Sequence, residues 1–458
     1  MGWLDKLLGK DVPVTTVAAP EAERAAVKPF EGLDGIRFGR YSDNNKPYAK
    51  IRAWYVAEDR FKEKAYPEAF TALFEHLSDE DEKNVAFRSE GQAFSFEFIQ
   101  GSKKIRGRID AGHIVAIAEV AIMRNPSNPV MHRLLDLNYT LCYTRFALDD
   151  KQTLCQIFDT PVDKATPNKL YYGLRELAKY ADREDDLMMS EFSNLTGVDS
   201  ELVQPLPQTE LEVKYNYFRT WITETLERVE GLNADSFAGA ISYSFLTLLY
   251  RIDFLLVPEA ALMAKLEVLS NTYWTKKEEI PLIHRNASMK EGIRKLLDIT
   301  KEEFSKGVYR TKGTFAVVAT PPPDKIRENV LGALRDAEWY VENKYPDLVL
   351  VIYEYGMVYN QFSYSMPRVI TELATIYLAV LHADFFKDLG MTPAFINMAT
   401  GQLDPALITL AVDEVMKKWA DKYTNLKWEH GRISYSSISD FARSFPEQVA
   451  ALNLEIRR

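Results

Sequence analysis

Apolar residues change their spacing several times along this chain. From Pro47 to about Leu77 they recur at helical intervals, with a break expected near Pro67, and AFTALFEHL carries a stripe of Phe70, Leu73, Phe74 and Leu77. The period then drops to two. Val85 and Phe87 alternate, Phe94, Phe96 and Phe98 alternate against Ser95 and Glu97, and Ile105 and Ile109 alternate against Arg106 and Arg108. HIVAIAEVAI (113–122) is more uniformly apolar, and turns fall at Glu90-Gly91, Gly101-Ser102 and Ala111-Gly112. This pattern predicts an antiparallel meander with one buried face.

A helix follows, with Asn128 placed as a cap, Pro129 in the first turn, and Val130, Met131, Leu134, Leu135, Asn138 and Leu141 along one side. LNYTLCYTRFALDDKQTLCQIFDTP (137–161) then passes from helix to a strand at 144–148, a polar turn, and a second strand at 153–158. Thr166-Pro167 opens a further helix, whose stripe is Leu170, Leu174, Leu177, Ala178 and Ala181 and which runs into ADREDDLMMSEF. Both cysteines, Cys142 and Cys155, lie in the 137–161 stretch. Neither is part of a C-x-x-C and no histidine stands at ligand spacing, so they read as scaffold.

The order helix, meander, helix, two strands, helix between about residues 58 and 192 resembles the type III secretion chaperone-like fold, in the broad sense that includes YbjN-type proteins. The residues that carry the resemblance are LLDLNYTLCYTRFALDD, with Asn138 near the helix end, the strand pair after it, and the LRELAKYADREDDLM helix. The resemblance implies a small α+β module that pairs as a dimer, binds protein segments and has no catalytic centre.

Residues 193–210 (SNLTGVDSELVQPLPQTE) read as a linker. Beyond them the period is 3.6 almost to the end. Helices are expected at about 208–229, 234–254, 257–271, 287–306, 323–343, 346–362, 367–389, 404–424 and 435–451. Segment 307–322 (GVYRTKGTFAVVATPP) interrupts them, as a strand or an extended loop. The fold class is therefore an α+β domain followed by a mainly all-α domain. Its expected divisions are an N-terminal segment and linker over 1–30, the α+β domain over 31–195, a linker over 196–210 and the helical domain over 211–458.

Composition narrows the function classes. A chain of 458 residues with 47% hydrophobic side chains can bury more than one core. A net charge of −10 argues against nucleic acid as a partner. Two cysteines give no disulfide framework and fit a reducing, cytoplasmic setting. Asp5 and Lys6 interrupt the start, MGWLDKLLGKD, so a signal peptide is not expected there. Phe237–Val257 is long and apolar, but Arg251 and Asp253 make it a buried helix of a water-soluble domain rather than a membrane span. Trp3, Leu4, Leu7 and Leu8 share one face of a short helix, a candidate membrane-surface contact.

No catalytic motif, metal-ligand set or cofactor fingerprint is present: the histidines are scattered, and there is no G-x-S-x-G or Walker lysine. Asp182, Glu184, Asp185 and Asp186 read as a solvated face near a helix C-terminus, and Lys103, Lys104, Arg106 and Arg108 as a charged exposed strand. His382 reads as a satisfied core histidine. VIYEYGMVYNQFSYSM concentrates Tyr355, Tyr359, Phe362 and Tyr364, which suit either a core or an interface. The expectation is a non-catalytic adaptor that holds a protein segment, as a dimer, on a sheet face carrying Phe94, Phe96 and Phe98 and in a groove at Tyr355, Tyr359, Phe362 and Tyr364. The alternatives are an enzyme with its site in the helical half or between the domains, and a membrane-surface component.

Overall fold

The computed structural model describes residues 28–457 apart from Gln92, Ala111 and Pro323. Trp3, Leu4, Leu7 and Leu8 lie outside the described residues. Helices α1 (Tyr48–Lys62) and α2 (Tyr66–Leu77) form a packed pair, separated by a turn at 63–65, and Pro67 stands in the first turn of α2. The meander follows as β1 (Val85–Glu90), β2 (Ala93–Gln100), β3 (Lys103–Asp110) and β4 (His113–Ile122). Then come α3 (Asn128–Thr140), β5 (Thr144–Leu148), β6 (Thr153–Pro161) and the long α4 (Pro167–Glu191). The strands pair antiparallel in the order β1-β2-β3-β4-β6-β5, with β4 bulged between Glu119 and Ala121.

One face of this sheet is covered by α2 and α4. Phe94, Phe96 and Phe98 point into that covered face and are 2%, 5% and 0% exposed, with Phe74 against Phe96 at 4.3 Å between ring centres. They are core residues, which corrects the expectation that they offer a binding surface. The strand period explains the correction: the uncovered face belongs to the intervening positions, Ser95 and Glu97.

Within the 137–161 stretch, side chains fasten β5 to the neighbouring helices. Asn138 at the end of α3 clamps β5, its Oδ1 accepting from Phe146 N at 2.7 Å and its Nδ2 donating to Phe146 O at 3.2 Å. Glu176 of α4 accepts from three successive backbone N–H groups, Cys142, Tyr143 and Thr144, and from the Thr144 hydroxyl. Cys155 is buried, and burial pushes its thiol up to about 11. Cys142 is exposed, and so is Leu135 on the side of α3 that was expected to face inward.

The remaining elements are β7 (Thr196–Gly197), which pairs with β4, β8 (Gln204–Pro205), α5 (Gln208–Glu230), α6 (Ala238–Leu256), α7 (Ala260–Trp274), α8 (Leu282–Leu296), α9 (Lys301–Lys306), β9 (Tyr309–Arg310), α10 (Lys325–Glu342), α11 (Pro346–Ser363), α12 (Arg368–Leu381), α13 (Ala383–Asp388), β10 (Ile396–Asn397), β11 (Gln402–Leu403), α14 (Pro405–Trp419) and α15 (Ile438–Ala450). Two expected helices are each two. The 287–306 helix breaks before a capping box at Thr300, whose hydroxyl accepts from Glu303 N while the Glu303 carboxylate accepts from Thr300 N. The 367–389 helix breaks at His382, where backbone φ is −121° and the ring turns to Glu354. Helix α6 is buried along nearly its whole length between other helices. Its two charges are paired: Arg251 bidentate to Glu354 at 2.6 and 2.7 Å, and Asp253 to Arg40 at 2.8 Å.

The two cores exchange segments. Residues 30–42, which precede the sheet domain, run over the helical core: Leu33 is buried in it and Phe30 and Phe38 pack on Phe386. In the opposite sense, the stretch between α9 and α10 enters the sheet domain. Phe315 is buried in the sheet core against Phe98 and Tyr171, and Gln100 Oε1 accepts from Thr314 N and Phe315 N. The 196–210 stretch is tied down as well, β8 pairing with β9. The expected units 31–195 and 211–458 therefore each include a segment that packs in the other core.

Candidate functional site: a cavity between the domains

Where the exchanged segments pass, they border a half-open cavity of about 1060 Å³. Its walls are the 34–42 and 309–317 segments, one face of α4, the start of α7 and the first turns of α12. Helical spacing brings Lys179, Asp182, Arg183 and Asp186 of α4 to the same wall. Glu259, Met263, Ala264 and Glu267 come from the start of α7 and the residue before it.

The acidic run of α4 is therefore not the solvated face that its composition suggested. Asp182 sits on the Gly101-Ser102 turn and accepts from Ser102 N at 2.7 Å and from its hydroxyl at 3.2 Å. Gly101 is required here: its φ is +54°, and a Cβ would stand 2.0 Å from Asp182 Oδ1. Glu184 pairs with Arg133 at 2.9 Å, and Asp185 with Lys103 at 2.8 Å. Asp186 accepts from the Tyr309 hydroxyl at 3.4 Å. Lys103 is fully buried, which corrects its assignment to an exposed basic strand; Lys104, Arg106 and Arg108 occupy the alternate positions from Lys104 onward, and among them Arg106 is half in solvent.

Burial and mutual repulsion shift these acids strongly. Burial raises Asp182 to about 6, Asp185 adding to the shift and Ser102 opposing it. Burial, then Asp182 and Asp185, raise Asp186 to about 7. Burial, then Asp182 and Asp186, raise Glu259 to about 8. Cations elsewhere in the cavity are depressed: burial lowers Lys214, which Glu210 holds at 3.1 Å, and burial with Arg175 and Arg183 lowers Lys179. The cavity thus holds carboxyl groups from both domains that titrate near neutrality, and a concave space with displaced carboxyl pKa values makes it the candidate site. Among the described residues, no group of three His, Cys, Asp or Glu side chains is arranged to hold a metal ion.

Of the aromatic residues singled out in the sequence, none lines this cavity, and Phe362 touches its lining residue Arg40. Tyr355, Tyr359, Phe362 and Tyr364 are half-buried on the helical core. Tyr250 packs on Phe362 at 4.5 Å, Tyr355 stacks on Tyr359 at 5.3 Å, and the Arg40 guanidinium covers Phe362 at 4.5 Å. His382 is a core histidine, its Nε2 3.1 Å from Glu354 Oε1. Glu259, Tyr309 and Arg40 were not singled out. Glu259 did carry a signal, as a lone acid within the apolar run LLVPEAALMA. Comparison of the chain with protein-family models and with curated proteins finds no match.

Proposed function

We propose that this is a two-domain ligand-binding protein whose working part is the cavity between the domains, and that its ligand is a charged molecule of small-molecule size. The observation that carries the reading is the convergence of Asp182, Asp186 and Glu259, from both walls, on one half-open cavity of about 1060 Å³. Cavities of some hundreds to about a thousand Å³ suit such ligands. Carboxyl groups poised near 7 exchange protons readily at neutral pH, so acid–base catalysis by Asp186 or Glu259 on a bound substrate is the enzymatic extension of the same reading.

The test is thermal denaturation of the full chain against a panel of small cations, anions and zwitterions, with Ala264→Trp to fill the cavity. A ligand that raises Tm in the wild type but not in Ala264→Trp supports the reading. A panel without effect on the wild type counts against it.

A second reading, the adaptor, has its own observation. The uncovered sheet face holds a depression of about 660 Å³ lined by Arg88, Glu97, Arg106, Val115 and Ile117. The element order of a type III secretion chaperone-like module supports this reading, and the dimer expected of that family belongs with it. Affinity purification of the tagged chain with and without Ile117→Glu separates the two readings. A stoichiometric partner lost only from the variant favours the adaptor, and an unchanged set of captured proteins removes it.

A further inference from the structure

We infer that the ligand of this cavity presents a cationic group, an ammonium or a guanidinium, to Asp182, Asp186 and Glu259; the inference rests on the cavity being a ligand site. Charges on α4 and at the start of α7 meet in two tiers. In one, Lys179 faces Glu267, so both signs are present. In the other, Asp182 and Asp186 face Glu259, and all three groups are acids.

The two cations whose charge is felt by the acidic tier, Lys103 and Arg40, make their direct contacts elsewhere. Lys103 has three N–H donors, and they are directed to Asp185 at 2.8 Å, Val198 O at 3.0 Å and Val120 O at 3.3 Å. Arg40 directs Nε to Asp253, Nη2 to the Met263 sulfur at 3.3 Å and Nη1 towards Glu267 at 3.8 Å. Glu259 itself has no hydrogen-bond or ion-pair partner for its carboxyl group among the described residues, although it lines the cavity. Three acids thus share one cavity in which Asp182 and Asp186 accept only from neutral groups, Ser102 and Tyr309, and Glu259 from none, a costly arrangement unless protons or an external cation relieve it. The cavity has room for such a group and the molecule that carries it. An organic cation with several N–H donors fits better than a metal ion, since no metal-holding group of acids is assembled among the described residues.

The experiment is calorimetric titration of the full chain at constant ionic strength. The probes are agmatine, 1,5-diaminopentane and the peptide Gly-Lys-Gly, with succinate, inorganic phosphate and calcium chloride beside them. Saturable binding of an amine or guanidinium probe is expected, weakened tenfold or more by Glu259→Gln and abolished by Ala264→Trp. Asp186→Asn is the second acid variant should Glu259→Gln fail to fold. Preference for the peptide over the free amines would place the cation on a polypeptide side chain, and the reverse on a small molecule. Binding of succinate or phosphate that Ala264→Trp abolishes, without amine binding, keeps the cavity as a ligand site and overturns the cationic group. Calcium binding that excludes the amines overturns the organic cation. Binding by none of the probes overturns both the inference and the reading beneath it.

Discussion

The ring of Tyr41 fills the space beside Gly313, so that a Cβ on Gly313 would stand 2.5 Å from the ring's Cγ. Tyr41 belongs to the segment leaving the helical core and Gly313 to the segment entering the sheet core, and both line the cavity. This is the crossing point of the exchange. Gly313→Val is expected to lower stability by about 1–3 kcal/mol, the usual cost of overpacking. Thermal denaturation checks it, and hydrogen exchange should show protection lost at both 39–44 and 311–316.

The raised acids give stability a pH dependence whose sign can be worked out. For a carboxyl whose folded pKa exceeds its unfolded value, the unfolded chain gives up its proton first as pH rises. Stability is then present in full below about 4 and is lost as pH climbs through the folded pKa. Asp186 at about 7 and Glu259 at about 8 extend that loss into the neutral range. His76, lowered to about 4 by burial, acts in the opposite sense only up to about 6.5, the ordinary histidine value. Lys46 and Lys422, lowered to about 8 by burial, begin to act only above that. Between pH 6.5 and 8 the acids therefore dominate, and Tm should fall. Glu259→Gln should flatten that slope; a slope unchanged in the variant would show that Glu259 does not titrate there.

In the helical core, Arg251, Glu354 and His382 form a buried cluster, with Arg251 also 5.5 Å from the Trp221 ring. Arg251, with His382, holds the Glu354 carboxyl down at about 2 against the burial that would raise it. Arg251→Met leaves that carboxylate without its main partner and is expected to cost about 3–5 kcal/mol. Arg251→Met with Glu354→Leu should recover much of the loss, since removing both charges removes the desolvation penalty too. Chemical denaturation of both variants measures the difference.

Asn138 and Glu176 fasten the edge strand β5 to the helices on either side of it. Removing a partner of buried or half-buried backbone groups costs about 1–3 kcal/mol. Asn138→Ala is expected to fall in that range and so is Glu176→Ala, since of the four hydrogen bonds its carboxylate accepts two come from half-buried Thr144 groups and two from the exposed Cys142 and Tyr143 N–H groups. Hydrogen exchange at 142–148 should accelerate in both, while the meander 93–122 keeps its protection.

Local signals made much of this fold legible. The Phe94, Phe96, Phe98 alternation marked a strand with a buried face, and Asn138 marked a helix end that the structure shows clamping β5. The capping box at Thr300 was also in the sequence, yet the apolar stripe running through it hid the break. The candidate site was not legible, because its members are neighbours only in space. Asp182 needs a turn some 80 residues earlier, and Glu259 gains its character from α4. A charged run such as DREDD has the composition of a wet surface; only the packing of α4 between two domains turns it inward. Phe315 could not be assigned to the sheet core, since its own flanks, GTFAVVA, favour strand and loop equally.

The placement of Phe315 also bears on how the protein is made. A chain leaves the ribosome from its N-terminus at about 5–20 residues per second, and domains ordinarily fold as they emerge. Here the sheet domain, complete in its strands by Gly197, must wait for more than a hundred further residues before the side chain that closes its core exists. During that interval the face awaiting Phe315, with Phe98 at its centre, is open to chaperones and to neighbouring chains. The nascent protein therefore passes through a stage in which its first domain is assembled but not sealed, and synthesis of the second domain provides the stopper.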